Sequence, residues 1–228
     1  MDRPGRRPES CGRRGADGAG RVCKSGVVEL LLIRHAEPVR VPESDERADP
    51  GLHERGIAQA ERLAQWLAEE RLEGIFSSPM RRARQTAEPV ATRHNLEIVV
   101  DEELSEFDRE ATSYIPVEEL RATRDERWLA MAEGRLDSFD VDPIEFQRGV
   151  VTALEHIISA NPSRVVAVFC HGGVINAYFA HILGISKLMW FEPLYTSINR
   201  VAAARSGERS VVALNETAHL RGTGLLLR

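Results

Sequence analysis

Two histidines occupy matching places in this sequence of 228 residues. His35 follows Arg34 at the end of the apolar run Val27 to Ile33, and His171 follows a second run, Arg164 to Cys170. Imidazole titrates near neutral pH, so it can serve as nucleophile, base or partner of an anion. Each histidine has a neighbour suited to anionic oxygen. Arg34 adjoins His35, and the pair Gly172-Gly173 opens a helix whose unpaired N–H groups an anion can approach closely. The segment Ser77 to Ala87 adds Arg81, Arg82 and Arg84 at the start of another helix. Successive helical residues point about 100° apart, so at most one or two of these arginines can face a common site. Guanidinium donates a rigid fork of hydrogen bonds to phosphate oxygens without losing its charge. Glu103, Glu106, Asp108 and Glu110 come next, and one of them at the mouth of the site could act as a general acid.

The elements that must position these groups follow from periodicity. Val27 to Ile33 (VVELLLI) and Arg164 to Cys170 (RVVAVFC) are nearly continuous apolar runs of strand length, as expected for strands buried on both faces. Ile57 to Glu70 carries Ala60, Leu63, Ala64 and Leu67 at helical spacing. Gly74 to Ser77 and Glu97 to Val100 read as short strands, and Pro79 to His94 as a helix with Pro89 inside it. Residues 113 to 135 form a charged helical excursion. Pro143 to Asn161 is an amphipathic helix with Phe146, Val150, Leu154 and Ile157 on one stripe, and an apolar helix follows the glycine pair to Leu183. Strands near Ser197 to Ala203 and Ser210 to Leu214 end the pattern. Alternating β and α elements predict an α/β, three-layer sandwich with a mostly parallel central sheet flanked by helices. In such sheets the ligand crevice lies outside the carboxyl ends of the strands, which brings His35 and His171 to one cleft.

Composition narrows the setting. The formal charge of -5 and 43% hydrophobic content describe a globular chain and argue against a nucleic-acid partner. Residues 1–26 differ from the rest: they hold Arg3, Arg6, Arg7, Arg13, Arg14, Arg21 and Lys24 against Asp2, Glu9 and Asp17, and few large apolar side chains. Such a segment reads as a disordered basic tail, dispensable for catalysis, ahead of one domain over 27–228. No run of about 20 apolar residues predicts a membrane span, and no secretory signal precedes Val27. A cytoplasmic location is the default expectation. Cys11, Cys23 and Cys170 match neither a disulfide framework nor a zinc ribbon, and Cys170 is expected in the core. His53, His94, His156 and His181 read as structural or solvated.

Taken together, these residues resemble the histidine phosphatase superfamily, the phosphoglycerate-mutase-like phosphohydrolases. Leu32-Ile33-Arg34-His35-Ala36-Glu37 is similar to the family's Arg-His-Gly-Glu opening, with Ala36 in the glycine place. The resemblance continues through Asp49 to Gly56 with Gln59-Ala60, Ser77 to Ala87, Leu104-Ser105-Glu106 and Phe169 to Ile175. It ends at Leu214-Asn215 with Ala218-His219-Leu220, which resembles the family's last strand. The resemblance implies that His35 is the nucleophile that becomes phosphorylated, that Arg34 and Arg82 hold the phosphoryl oxygens, that His171 completes the phosphate pocket beside Gly172, and that Glu106 is the proton donor. It implies no cofactor and no metal. Pro38 to Arg47 lacks the tryptophan-asparagine pair and arginine of a phosphoglycerate mutase.

This set of groups is chemically coherent. A phosphate monoester repels nucleophiles through its negative charge, and Arg34, Arg82 and a protonated His171 would offset that repulsion. Adjacent positive charge keeps His35 neutral and able to attack, and a carboxylic acid protonates the leaving alkoxide. The expected partner is a phosphorylated small molecule, with a homodimer left open. Three alternatives stand beside hydrolysis: mutase transfer, a non-catalytic phospholigand-binding protein, and a metal site using His35, Glu37 and His171. Residues 104–140 are expected to form the lid that selects substrate, and Phe107, Tyr114, Arg121, Arg124, Arg127 and Trp128 suit a polar phosphorylated metabolite.

Overall fold

The computed structural model describes residues 26–136 and 139–226. The tail assigned to residues 1–26 therefore lies, Gly26 apart, outside the described residues. Strands β1 (Val27–Arg34), β2 (Leu72–Ser77), β3 (Ile98–Val100), β4 (Val165–Cys170), β5 (Ile198–Ala204) and β6 (Arg209–Glu216) form one sheet in the order β3-β2-β4-β1-β5-β6. The first four in that order run parallel, and β5 and β6 add an antiparallel edge. The sheet is thus mixed and mostly parallel, with flanking helices.

Strand alternation explains the layers. In β1, Leu30 and Leu32 face one way and Leu31 and Ile33 the other; in β4, Val166, Val168 and Cys170 oppose Ala167 and Phe169. Leu31, Ile33 and Phe169 pack against Leu63, Ala64, Ala87 and Val90, on helices α1 (Glu54–Trp66) and α2 (Arg81–His94). Leu30, Leu32 and Val168 pack against Val150, Leu154, Ile157 and Tyr178 of the two long helices on the opposite face. Both sides of the central strands are dry, so their sequences are apolar throughout. Cys170 is fully buried, as expected.

The charged excursion is two short helices, α3 (Val117–Thr123) and α4 (Glu126–Ala132). Arg124 ends the first in a left-handed conformation, φ 53°, and the Asp125 side chain accepts from Arg127 N to cap the second. Then come α5 (Pro143–Ala160), capped by Asp142, and α6 (Gly172–Leu183), ended by Gly184 at φ 67°. One motif differs from its expectation. Ala218–Leu220 is a 3-10 turn beyond the last strand, and it carries the buried His219 rather than extending the sheet.

Candidate active site

Register brings the two histidines together. Arg34 pairs with Cys170 across β1 and β4, and His35 N–H donates to Cys170 O at 2.9 Å, so each histidine lies one step past its strand. Their ring centroids are 5.1 Å apart. His35 lines a cavity of about 270 Å³ together with Arg34, Arg82, Glu106, Asp108 and Gly172. The His171 ring is fully buried beside His35.

The loop after β1 is tied down from α1 and α2. Ala36 N–H donates to Thr86 Oγ1 at 2.9 Å, and that hydroxyl donates to Arg82 O at 2.7 Å. Glu37 N–H donates to Gln59 Oε1, and Leu52 N–H to Gln85 Oε1. Much of the sequence motif around the site is therefore scaffolding. A side chain at Gly56 would meet Glu37 O at 2.0 Å, which only glycine avoids. On the other side Thr196 N–H donates to Arg34 O at 3.1 Å. Thr196 has φ 54°, and its hydroxyl donates to Tyr195 O, so the 2.9 Å contact with His219 Nε2 makes that nitrogen the donor.

His35 Nδ1 lies 2.8 Å from Ala36 O. A carbonyl can only accept, so Nδ1 carries the proton and Nε2 presents its lone pair. Burial, then Arg82, then Arg34 hold the His35 imidazole well below its usual pKa, which keeps it neutral. His171 is likewise held well below its usual range by burial, Arg82, His35 and Arg34. The protonated His171 expected from sequence is therefore not favoured, because the ring is buried and two guanidinium groups already occupy its surroundings. His171 Nε2 meets Ser78 Oγ at 2.8 Å, and that oxygen also accepts from Met80 N–H. Its own hydrogen is free to go to Nε2, which leaves Nδ1–H as the donor on the other side of the ring.

Of the three arginines at the start of α2, Arg82 alone turns inward. It is 1% exposed while Arg81 and Arg84 are exposed, in keeping with helical geometry. Arg82 Nη2 donates to Asp108 Oδ1 at 2.8 Å, and its guanidinium stands over the Tyr114 ring at 4.9 Å. Arg34 Nη1 donates to Pro193 O at 2.6 Å, with its guanidinium 4.2 Å from the centre of the Tyr195 ring. Arg34 Nε, Arg82 Nε, Arg82 Nη1 and His171 Nδ1 are buried without a partner. Leaving a buried donor unpaired costs about 1–3 kcal/mol, more when it is charged. These four donors have hydrogens to offer to the oxygens of an anion.

Glu106 is buried, and its carboxyl accepts from Gly173 N at 2.8 Å and from Phe107 N at 3.2 Å. Burial, then repulsion from Asp108, raises its pKa to about 7, so near neutrality it can hold a proton. A side chain at Gly173 would meet Glu106 Oε1 at 2.1 Å and the Phe107 ring at 2.7 Å, so this glycine permits the close approach. Gly172 is less constrained, its nearest would-be contact being Arg34 Nε at 4.0 Å. Of the other acidic candidates, Asp108 is the partner of Arg82, while Glu103 and Glu110 are exposed and do not line the cavity. Glu37 pairs with Arg55 at 3.6 Å and is not on the cavity wall, so it does not join the two histidines as a ligand set. Among the described residues no three His, Cys, Asp or Glu side chains gather as a metal site. His53, His156 and His181 are exposed, and His94 bonds Leu67 O.

Sequence reasoning assigned no role to Tyr195 and Thr196, nor to Ser78 and His219 within the motifs that contain them, because their roles come from long-range contacts.

Comparison with known proteins agrees with this geometry. The model of the histidine phosphatase superfamily (branch 1) matches residues 30–217. Phosphoserine phosphatase 1 of Hydrogenobacter thermophilus is 30% identical over 206 residues, covering 85% of this chain and 95% of that one. Phosphoglycerate mutase-like protein 4 of Arabidopsis thaliana is 26% identical, covering 87% and 89%. The crystal structure of phosphoserine phosphatase from Entamoeba histolytica in complex with 3-phosphoglyceric acid superposes with a TM-score of 0.67 at 25% identity, covering 85% of this chain and 99% of that one.

Proposed function

The chain belongs to branch 1 of the histidine phosphatase superfamily, and from that premise we propose that it is a metal-independent phosphomonoesterase acting on a phosphorylated small molecule. The observation that supports this reading best is the set of unpaired buried donors on Arg34, Arg82 and His171 around a neutral His35. Relatives bearing phosphatase names point the same way.

In this reading Arg34, Arg82, His171 Nδ1–H and the N-terminus of α6 at Gly172 bind the non-bridging oxygens. The lone pair on His35 Nε2 attacks phosphorus. The P–O ester bond breaks as the Glu106 carboxyl gives its proton to the leaving oxygen, forming the alcohol and phosphohistidine. Water then attacks the phosphoryl group, its proton passes to the Glu106 carboxylate, and the P–N bond electrons return to Nε2. Inorganic phosphate leaves. The Ala36 carbonyl holds Nδ1–H throughout, so Nε2 is the nitrogen that reacts.

Rapid quenching with a labelled phosphate ester tests the proposal. An acid-labile, base-stable adduct on His35 is expected, and His35→Ala should lose the adduct and about 10⁴-fold or more in kcat/KM. An adduct on serine or aspartate, or turnover undiminished in the variant, overturns it. Transfer between 2- and 3-phosphoglycerate faster than phosphate release would assign the site to mutase chemistry instead.

A further inference from the structure

The cavity that holds the phosphoryl site continues into a chamber whose walls are apolar. Leu120 of α3, Trp128 and Met131 of α4, Phe139, and Met189 and Phe191 from the segment after α6 line it. Leu120 and Met131 are only 6% and 7% exposed. Two of the charges that border this wall have counter-ions within the chain. Arg127 is held by Asp125 through two bonds of 2.9 Å, and Glu192 meets Arg121 at 2.6 Å. Of the six residues expected to select a polar metabolite, Phe107, Tyr114, Arg127 and Trp128 reach the cavity, while Arg121 and Arg124 do not line it. Lys187 lies at the rim, exposed.

A substrate anchored by its phosphoryl group on Arg34 and Arg82 must lay the rest of its body along this wall. A carboxylate or ammonium laid against Leu120, Met131, Phe139 and Phe191 would give up water to face apolar side chains, although Ser113, Lys187 and the unpaired Trp190 Nε1 also line the cavity. An alkyl or aryl group would gain by leaving water. We propose that the substrates are monoesters of apolar alcohols, whose hydrocarbon body fills the chamber between α3, α4 and the 187–193 segment. This inference rests on the phosphatase reading for its chemistry but on the chamber for its specificity.

Two series measured on the unmodified protein separate those parts. In the first, kcat/KM is determined for ethyl, butyl, hexyl and octyl phosphate beside O-phospho-L-serine and 3-phosphoglycerate. Beyond ethyl the leaving groups are equally basic, so chain length changes binding and not the chemistry. Each added methylene is worth about fourfold if it becomes fully buried, so kcat/KM should climb steeply until the chamber is full. Hexyl phosphate should exceed O-phospho-L-serine at least tenfold. In the second, calorimetry measures binding of the matching alkylphosphonates, which cannot be hydrolysed. Affinity that rises with chain length, even without turnover of any ester, supports the apolar chamber and rejects only the hydrolytic reading. Turnover of all esters with no chain-length dependence, or with the amino-acid and glycerate esters preferred, overturns the apolar-substrate inference and leaves the phosphatase standing.

Discussion

The floor of the cavity and its wall solve opposite problems. On the floor, Arg34, Arg82 and His171 keep buried donors unpaired, a cost that a bound anion would remove. On the wall, Arg127 and Glu192 are each matched by a charge of the same chain, and most of the other lining side chains are apolar, with Ser113, Lys187 and the buried Trp190 Nε1 as exceptions. Polar groups left unsatisfied identify where the ligand's charge belongs, and polar groups satisfied internally identify where it does not. The two regions also differ in construction. The floor sits at the ends of β1 and β4 in the sheet centre, whereas the wall is made of α3, α4 and irregular segments that no strand holds.

Changes on the floor should be the more damaging, and the proposed proton donor, Glu106, offers the largest test after the proposed nucleophile, His35. Glu106→Gln removes the proton while keeping the size, so kcat/KM for alkyl phosphates should fall about 10²- to 10⁴-fold, and far less for nitrophenyl phosphate, whose leaving group needs no proton. The pH profile supplies the sign. Glu106 must be protonated to donate, so in the natural protein activity should decline as pH rises through about 7. The His35 imidazole, held below its usual range, sets its own acid limb lower still. The variant should lose the alkaline limb. An unchanged profile would move the donor role to another carboxyl.

Next comes Arg34→Met, which keeps the stem against Tyr195 but removes the fork. Loss of a preorganised donor to a developing charge costs about 10²- to 10³-fold, and this should appear with every phosphate ester alike. A loss confined to long-chain esters would show that Arg34 belongs to the wall instead.

Gly173→Ala should cost about 1–3 kcal/mol of stability in a denaturant titration, because the new methyl overlaps Glu106 and Phe107. The smallest effect is expected on the wall. Met131→Gln places a polar group where hydrocarbon should lie, and it should lower kcat/KM for hexyl phosphate about tenfold more than for methyl phosphate. Equal loss for both would erase the distinction between floor and wall.

Much of the scaffold was legible in residue order. The apolar runs ending at Ile33 and Cys170 predicted buried strands because strands covered on both faces need apolar residues at every position. The place of the histidines after those runs predicted their meeting, since neighbouring parallel strands end on the same edge of a sheet. Helical spacing likewise allowed for only some of Arg81, Arg82 and Arg84 to turn inward, and Arg82 is the one that did. What residue order could not supply was depth. His171 stands beside His35 and is held neutral first by its burial and then by Arg82, which reaches the same interior from a distant helix. Glu106 has its raised pKa from burial and from Asp108, two terms that depend on how the 104–110 segment folds against α6. Tyr195, Thr196 and His219 brace the loop that carries His35 through long-range contacts. Arg127 and Arg121 looked available in sequence and are spent on Asp125 and Glu192 in the fold. Periodicity and strand-end motifs are local properties, so the chain alone determined them; protonation, pairing and cavity shape are sums over distant neighbours, so only the tertiary structure could decide them.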